Sequence, residues 1–165
     1  MAALTAGTKA PDFSLTAVNG NKFSLPEALR RGPVFVAFFK ISCPVCQYAF
    51  PYFERLYKAH RDSKITVVGI SQDDRSSTSA FLKEYGVTFP VLLDDPNGYA
   101  VSNAYGLTNV PTWFLIGPDA TIELSSVGWV KKDVEELHQK LAQSQHSAPR
   151  PLFQPAEDVL DFRAG

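Results

Sequence analysis

Residues 38–51, FFKISCPVCQYAFP, decide how this chain reads. They carry the only two cysteines among 165 residues, Cys43 and Cys46, with Pro44 and Val45 between them. Two cysteines are too few for a disulfide scaffold. A structural disulfide also gains most by closing a long loop, and this pair would close almost none. The pair therefore needs a chemical explanation.

Its flanks supply one. Residues 33–39, PVFVAFF, form a continuous apolar run of branched and aromatic side chains, the pattern of a buried strand. From 44 to about 61 the spacing predicts a helix, because Phe50, Phe53, Leu56 and Tyr57 recur every three or four residues and basic residues gather at the end. Pro44 suits the first helical turn, where its missing N–H would have no partner anyway. Cys43 then lies at the helix start, beside free backbone N–H groups and the positive end of the dipole, both of which favour thiolate. A free cysteine is only a few per cent ionised at neutral pH, and half ionisation requires about 2 kcal/mol. The dipole supplies ~0.3–1 kcal/mol when exposed and up to ~2 when partly buried. Hydrogen bonds from the N–H groups and the second thiol add to it. Cys46 lies one turn further in, where helix and core shield it. The roles separate: Cys43 attacks a disulfide, Cys46 resolves the mixed disulfide, and Pro44, which with Val45 forms the helix start between them, keeps the sulfurs close.

Other chemistries fit less well. Zinc requires about four ligands, and there is no second cysteine pair and no His-x-x-x-His. His60, His138 and His146 are widely spaced and read as surface residues. Haem attachment needs histidine after the second cysteine, where Gln47 stands. Two buried bystander thiols remain the alternative at this point.

Along the chain, 22–32 reads as a short strand and a helical turn capped by Gly32. Residues 64–71 read as a second buried strand, and 77–85 as a helix with Gly86 at C′. Then come a short strand in 89–95, a short helix ending at Gly106, and a hairpin over 112–128 around GPDA. A last helix spans 131–143, with Val134, Leu137 and Leu141 as its buried stripe. The order β-α-β-α-β-α-β-β-α predicts an α/β protein whose central mixed sheet has helices on both faces. We expect one domain over 1–147 and a proline-containing tail over 148–165, read as an extended or disordered end. The sharper alternative docks Leu152, Phe153, Val159 and Phe162 on the domain or a partner.

Sixteen basic residues face seventeen acidic ones. That balance argues against a nucleic-acid binder. No apolar run reaches membrane-spanning length. The N-terminus has no basic and apolar leader pattern, so a cytoplasmic location is expected, or a periplasmic one where an export signal has been removed. The oligomeric state stays open.

The motifs resemble those of the thioredoxin superfamily, in the branch of TlpA- and ResA-like thiol–disulfide oxidoreductases, related to the AhpC/TSA group of peroxiredoxins. The resemblance runs from GTKAPDFSL at Gly7 to the helix near Gln143 and includes Pro51, five residues after Cys46. It implies a thioredoxin fold with an N-terminal extension and an αβ element inserted between Ser71 and Asp95. YGLTNVPTWFLIGPDATI, residues 105–122, is similar to the family segment whose proline has a cis peptide bond and faces the cysteines. Pro111 matches that proline, and the Val110 backbone would pair with an extended substrate. VVGISQDD resembles the segment with an acidic residue near the cysteines, which implies Asp73 as a proton carrier for Cys46. Solvated loop carboxylates are the alternative for Asp73 and Asp74.

The family's activity would be reversible dithiol–disulfide exchange on protein disulfides, with no metal or organic cofactor. Electrons would come from a thiol donor such as a thioredoxin system or glutathione. Ser42 stands where the family usually has tryptophan, and Pro44-Val45 replaces Gly-Pro, so potential and direction do not carry over. Peroxide reduction is one alternative. It needs Pro-x-x-x-Thr/Ser-x-x-Cys, and the required places hold Phe39 and Cys43, or Val36 and Lys40. A non-catalytic binding module is the other, and the intact Cys-x-x-Cys argues against it.

Overall fold

The computed structural model describes residues 2–145 and 150–165, so His146 and the expected start of the tail at Ala148 lie outside the described residues. In order, the elements are β1 (Ser14–Ala17), β2 (Lys22–Ser24), α1 (Leu25–Leu29), β3 (Val34–Phe39), α2 (Pro44–Ala59), β4 (Thr66–Ser71), α3 (Arg75–Glu84), β5 (Val91–Leu93), α4 (Ala100–Ala104), β6 (Thr112–Ile116), β7 (Ile122–Val127), β8 (Trp129–Val130), α5 (Lys131–Ser144) and β9 (Phe162–Arg163).

Seven strands form one sheet in the order β2-β1-β5-β4-β3-β6-β7. Parallel pairing joins β3 to β4 and β4 to β5, while β3–β6, β6–β7 and β1–β5 are antiparallel. The sheet is mixed, as the order of elements predicts. All six residues of β3 are buried, which explains its unbroken apolar run. Alternation along the strand then divides two cores. Phe35, Ala37 and Phe39 face a cluster with Phe50, Phe53 and Leu56 of α2, Phe81 of α3 and Leu137 of α5. Val34, Val36 and Phe38 face α1, Phe13 and Tyr105. Burying each such side chain contributes roughly 1.5–3 kcal/mol.

A buried carboxylate ties α2 to the inserted α3–β5 unit. Glu54 accepts hydrogen bonds from the Thr88 N–H at 2.7 Å and the Thr88 hydroxyl at 2.5 Å. Those bonds hold the second half of α2, while its N-terminus follows directly from the end of β3 through residues 40–43.

The structure departs from the sequence reading in several places. The strand β1 was not foreseen. The cap of α1 is Arg30; Gly32 lies beyond it, at φ +151, where a Cβ would stand 2.5 Å from the Lys64 carbonyl oxygen.

Nor is the chain after Arg150 an unpacked end. Leu152, Phe153 and Val159 are buried in the same cluster as Cys46, while Phe162 is 63% exposed. Polar contacts hold this strap: Arg55 pairs with Glu157 at 2.8 Å, the Trp129 indole N–H donates to the Leu160 carbonyl at 2.6 Å, and the Leu160 N–H donates to the Tyr48 hydroxyl at 2.9 Å.

The expected surface histidines His60 and His138 are both buried. Their rings meet with Nε2 of His60 2.8 Å from Nδ1 of His138. The Arg150 carbonyl at 2.5 Å from His138 Nε2 can only accept, so it orders the chain. His138 donates to Arg150, His60 donates to His138, and the Gln145 amide donates to His60 Nδ1 at 3.2 Å. The His60 imidazole, its Nδ1 accepting from Gln145 and its pKa lowered by burial, is neutral in this arrangement.

Candidate active site

β3 delivers the chain to the sheet edge, and residues 40–42 turn it into α2. Three hydrogen bonds pin that turn. The Ile41 N–H donates to Asp73 Oδ2 at 2.8 Å; the Gln47 side chain donates to the Ile41 carbonyl at 2.9 Å; the Gln72 N–H donates to the Phe39 carbonyl at 3.2 Å. Lys40 is exposed.

Cys43 is the N-cap of α2, with Pro44 in the first turn. Its sulfur accepts from the Cys46 N–H at 3.3 Å, filling the place of a capping side-chain oxygen. As a thiol it donates to the Val110 carbonyl at 3.4 Å. Cys43 is half-buried and Cys46 has no exposed surface. Pro44 is exposed and Val45 buried. Both thiols are free. Burial pushes the Cys46 thiol far above the usual cysteine range; the Lys40 backbone N–H works against that, while Cys43 and the Asp73 charge reinforce it. The two sulfurs thus differ as a nucleophile and a sheltered partner should.

The second arm of the site is the loop before β6. The Val110–Pro111 bond is cis. Pairing of Thr112 with Phe38 across β3–β6 sets this loop against the cysteine turn, and the Thr112 hydroxyl donates to the Asn109 carbonyl at 2.8 Å. The Val110 N–H has no hydrogen-bond partner among the described residues. Beside it a cavity of about 180 Å³ is lined by Lys40, Gln72, Leu107, Thr108, Asn109 and Val110.

The structure therefore brings Cys43, Cys46, Val110 and Pro111 together. Asp73 stands one step behind them. Its carboxylate holds the Ile41 N–H and senses Cys46 through charge, without a hydrogen bond to either sulfur among the described residues. Asp74 belongs elsewhere: it caps α3, accepting from the Ser77 N–H at 2.7 Å and the Ser77 hydroxyl at 3.1 Å, which draws its carboxyl below the ordinary range.

Sequence reasoning missed Gln47, whose only signal was its place in the first turns of α2, and Asn109, which directly precedes Val110 and Pro111. It also missed that the strap brings Gly165 beside Val110, for which no local signal exists. Among the described residues no cluster of three or more His, Cys, Asp or Glu side chains could hold a metal ion. No described helix is long and apolar enough to cross a membrane.

This geometry has close counterparts. The AhpC/TSA family matches residues 6–125. The thiol-disulfide oxidoreductase ResA of Bacillus subtilis strain 168 is 32% identical over 120 residues, covering 72% of this chain and 65% of that protein, so the match spans just under two thirds of the relative. ResA of Halalkalibacterium halodurans is 30% identical over 134 residues, 80% of this chain and 74% of its own. Among solved structures, a protein from Chlorobium tepidum described as the thiol:disulfide interchange protein DsbE superposes with a TM-score of 0.75 at 28% identity, over 86% of this chain and 98% of its own. With Cys-x-x-Cys at the start of α2 and a mixed sheet beneath it, the chain belongs to the AhpC/TSA family, on the thioredoxin-fold branch of TlpA- and ResA-like proteins.

Proposed function

We propose that the protein is a thiol–disulfide oxidoreductase that transfers two electrons from the Cys43–Cys46 dithiol to a protein disulfide. One observation carries the reading: a half-exposed sulfur at the cap of α2 backed by a fully buried one. Cys43, as thiolate, attacks one substrate sulfur. The substrate S–S bond breaks, a mixed disulfide forms, and the departing sulfur takes up a proton. Cys46 then loses its proton and attacks Cys43 Sγ. The second substrate thiol leaves, and a Cys43–Cys46 disulfide remains. A thiol donor of the thioredoxin or glutathione class restores the dithiol.

The causes that hold the Cys46 proton order these steps. Burial is the largest of these causes and persists throughout, whereas Cys43's hydrogen bond and charge raise Cys46 only while Cys43 is free. Forming the mixed disulfide removes both. The Lys40 N–H remains to support the developing thiolate, and we assign Asp73 to receive the proton. The unpartnered Val110 N–H supports a role for Val110 and Pro111 in aligning an extended substrate chain against Cys43. Pro44 and Val45 set the helix start between the sulfurs. Residues 1–147 would form the catalytic domain, with 148–165 as its strap. A cytoplasmic setting, where thiol donors abound, is the simplest for this direction.

The test is reduction of insulin and of a dithiobenzoate disulfide. Cys43→Ser abolishes both reactions, and Cys46→Ser accumulates a mixed disulfide without turnover. A Cys43→Ser protein as active as the parent would refute the assignment.

A further inference from the structure

The exchange chemistry makes no use of residues 161–165, yet they run along the site. β9 pairs antiparallel with β8, Phe162 opposite Val130 and Arg163 opposite Trp129. The Lys131 N–H donates to the Asp161 carbonyl at 2.9 Å, and the Asn109 side chain donates to the Gly165 carbonyl at 3.1 Å. Asn109 adjoins Val110, the residue that faces Cys43.

The approach is a backbone one. A Cβ on Gly165 would stand 2.5 Å from the Val110 carbonyl oxygen and 3.1 Å from its carbon. A Cβ on Gly128, which has φ +75, would stand 2.7 Å from the Arg163 carbonyl and 3.0 Å from the Gly165 nitrogen. Two glycines thus allow a fit that no side chain would permit. The Val110 carbonyl is enclosed, with the Cys43 thiol at 3.4 Å on one side and Gly165 on another. Cys43 itself stays half-exposed, and the Val110 N–H has no partner among the described residues. The strap is therefore no plug over the sulfur. It shuts one flank of the groove and leaves the other.

Resting on the thiol–disulfide reading, we propose that residues 161–165 are a specificity wall that selects substrates by shape. A disulfide on a slender, protruding segment enters along the open Val110 N–H and the Lys40-lined cavity. A disulfide set among the surfaces of a folded protein meets backbone at Gly165, which cannot rotate away as a side chain would. The selectivity resides in the strap, and the sulfur chemistry does not depend on it.

The test compares kcat/KM for a protein disulfide, insulin, with that for a small aromatic disulfide, dithiobis(nitrobenzoate). In a chain lacking residues 161–165, the protein-to-small ratio rises about tenfold over the parent. Asn109→Ala, which releases the Gly165 carbonyl, shifts the ratio the same way by about threefold. Where the shortened chain does not fold, Asn109→Ala decides alone. A ratio unchanged within experimental error overturns the wall, and a falling ratio overturns it in favour of a strap that grips substrate. A parent inactive on both disulfides refutes the exchange reading instead.

Discussion

Lowering the pH to between 6.5 and 4 should destabilise this protein through one residue. His60 is 5% exposed at the end of α2. Burial, then the neighbouring His138, pushes its imidazole from 6.5 down to about 4. The unfolded chain therefore binds a proton below pH 6.5 that the folded chain refuses until about pH 4. Stability is full above 6.5 and is lost as pH falls towards 4. At ~1.4 kcal/mol per pH unit, the interval from 6.5 to about 4 costs the folded state about 3 kcal/mol. That is a large share of the roughly 5–15 kcal/mol holding a typical domain. The structural reason is the directed chain from Gln145 through His60 and His138 to the Arg150 carbonyl, in which every ring nitrogen is already committed. The assay is denaturant unfolding of the parent and of His60→Gln at intervals from pH 7.5 to 4.5. Both contain the same carboxylates, so the difference between their curves isolates the imidazole. Between pH 7.5 and 4.5 the parent should lose about 2.5 kcal/mol more than the variant. Parallel curves would refute the argument, as would a parent that gains stability below pH 6.

Two further outcomes follow from the site and its support. Asp73→Asn keeps an oxygen for the Ile41 N–H but no longer takes a proton, so release of the mixed disulfide should slow about tenfold or more with the first attack unchanged, read by rapid-quench trapping. Glu54→Ala leaves the Thr88 N–H and hydroxyl without their buried acceptor, and thermal unfolding should report a loss of roughly 3 kcal/mol.

The parts of this fold that could be read from the sequence are those set by local pattern. The strand β3 is apolar throughout because both its faces are covered. The helix α2 announces itself by Phe50, Phe53 and Leu56 at helical spacing, all buried. Cys-x-x-Cys and Val-Pro-Thr were recognisable as motifs, and pairing of β3 with β6 joins them. What stayed hidden depends on partners far along the chain. The four residues of β1 lie between β2 and β5 and run from an exposed Ser14 to a buried Ala17, with no apolar run to reveal them. The strap has no period because it follows a surface rather than a helix or sheet face, and its ties to Arg55, Tyr48 and Asn109 span 102, 112 and 56 residues. A histidine buried beside another cannot be told from a surface one without the ring it touches. Asp73 was picked out by resemblance, but its grip on Ile41 across 32 residues was not.

That last contact bears on how the site works. Asp73 does two things with one carboxylate. Through the Ile41 N–H it holds the turn that aims Cys43, and through its charge it resists ionisation of Cys46. Both belong to the resting dithiol, where a prematurely ionised inner sulfur would be open to oxidation without a substrate. Once Cys43 is bound to substrate, its own contribution to holding that proton disappears, and in the proposed mechanism the same nearby carboxylate receives it. Pinning and proton transfer are therefore separable. Asp73→Asn keeps the first and loses the second, whereas Asp73→Ala loses both and should also slow the first attack, because the turn that presents Cys43 is no longer tied to the loop after β4. If the two variants behaved alike, the hydrogen bond to Ile41 would have no part in positioning the nucleophile.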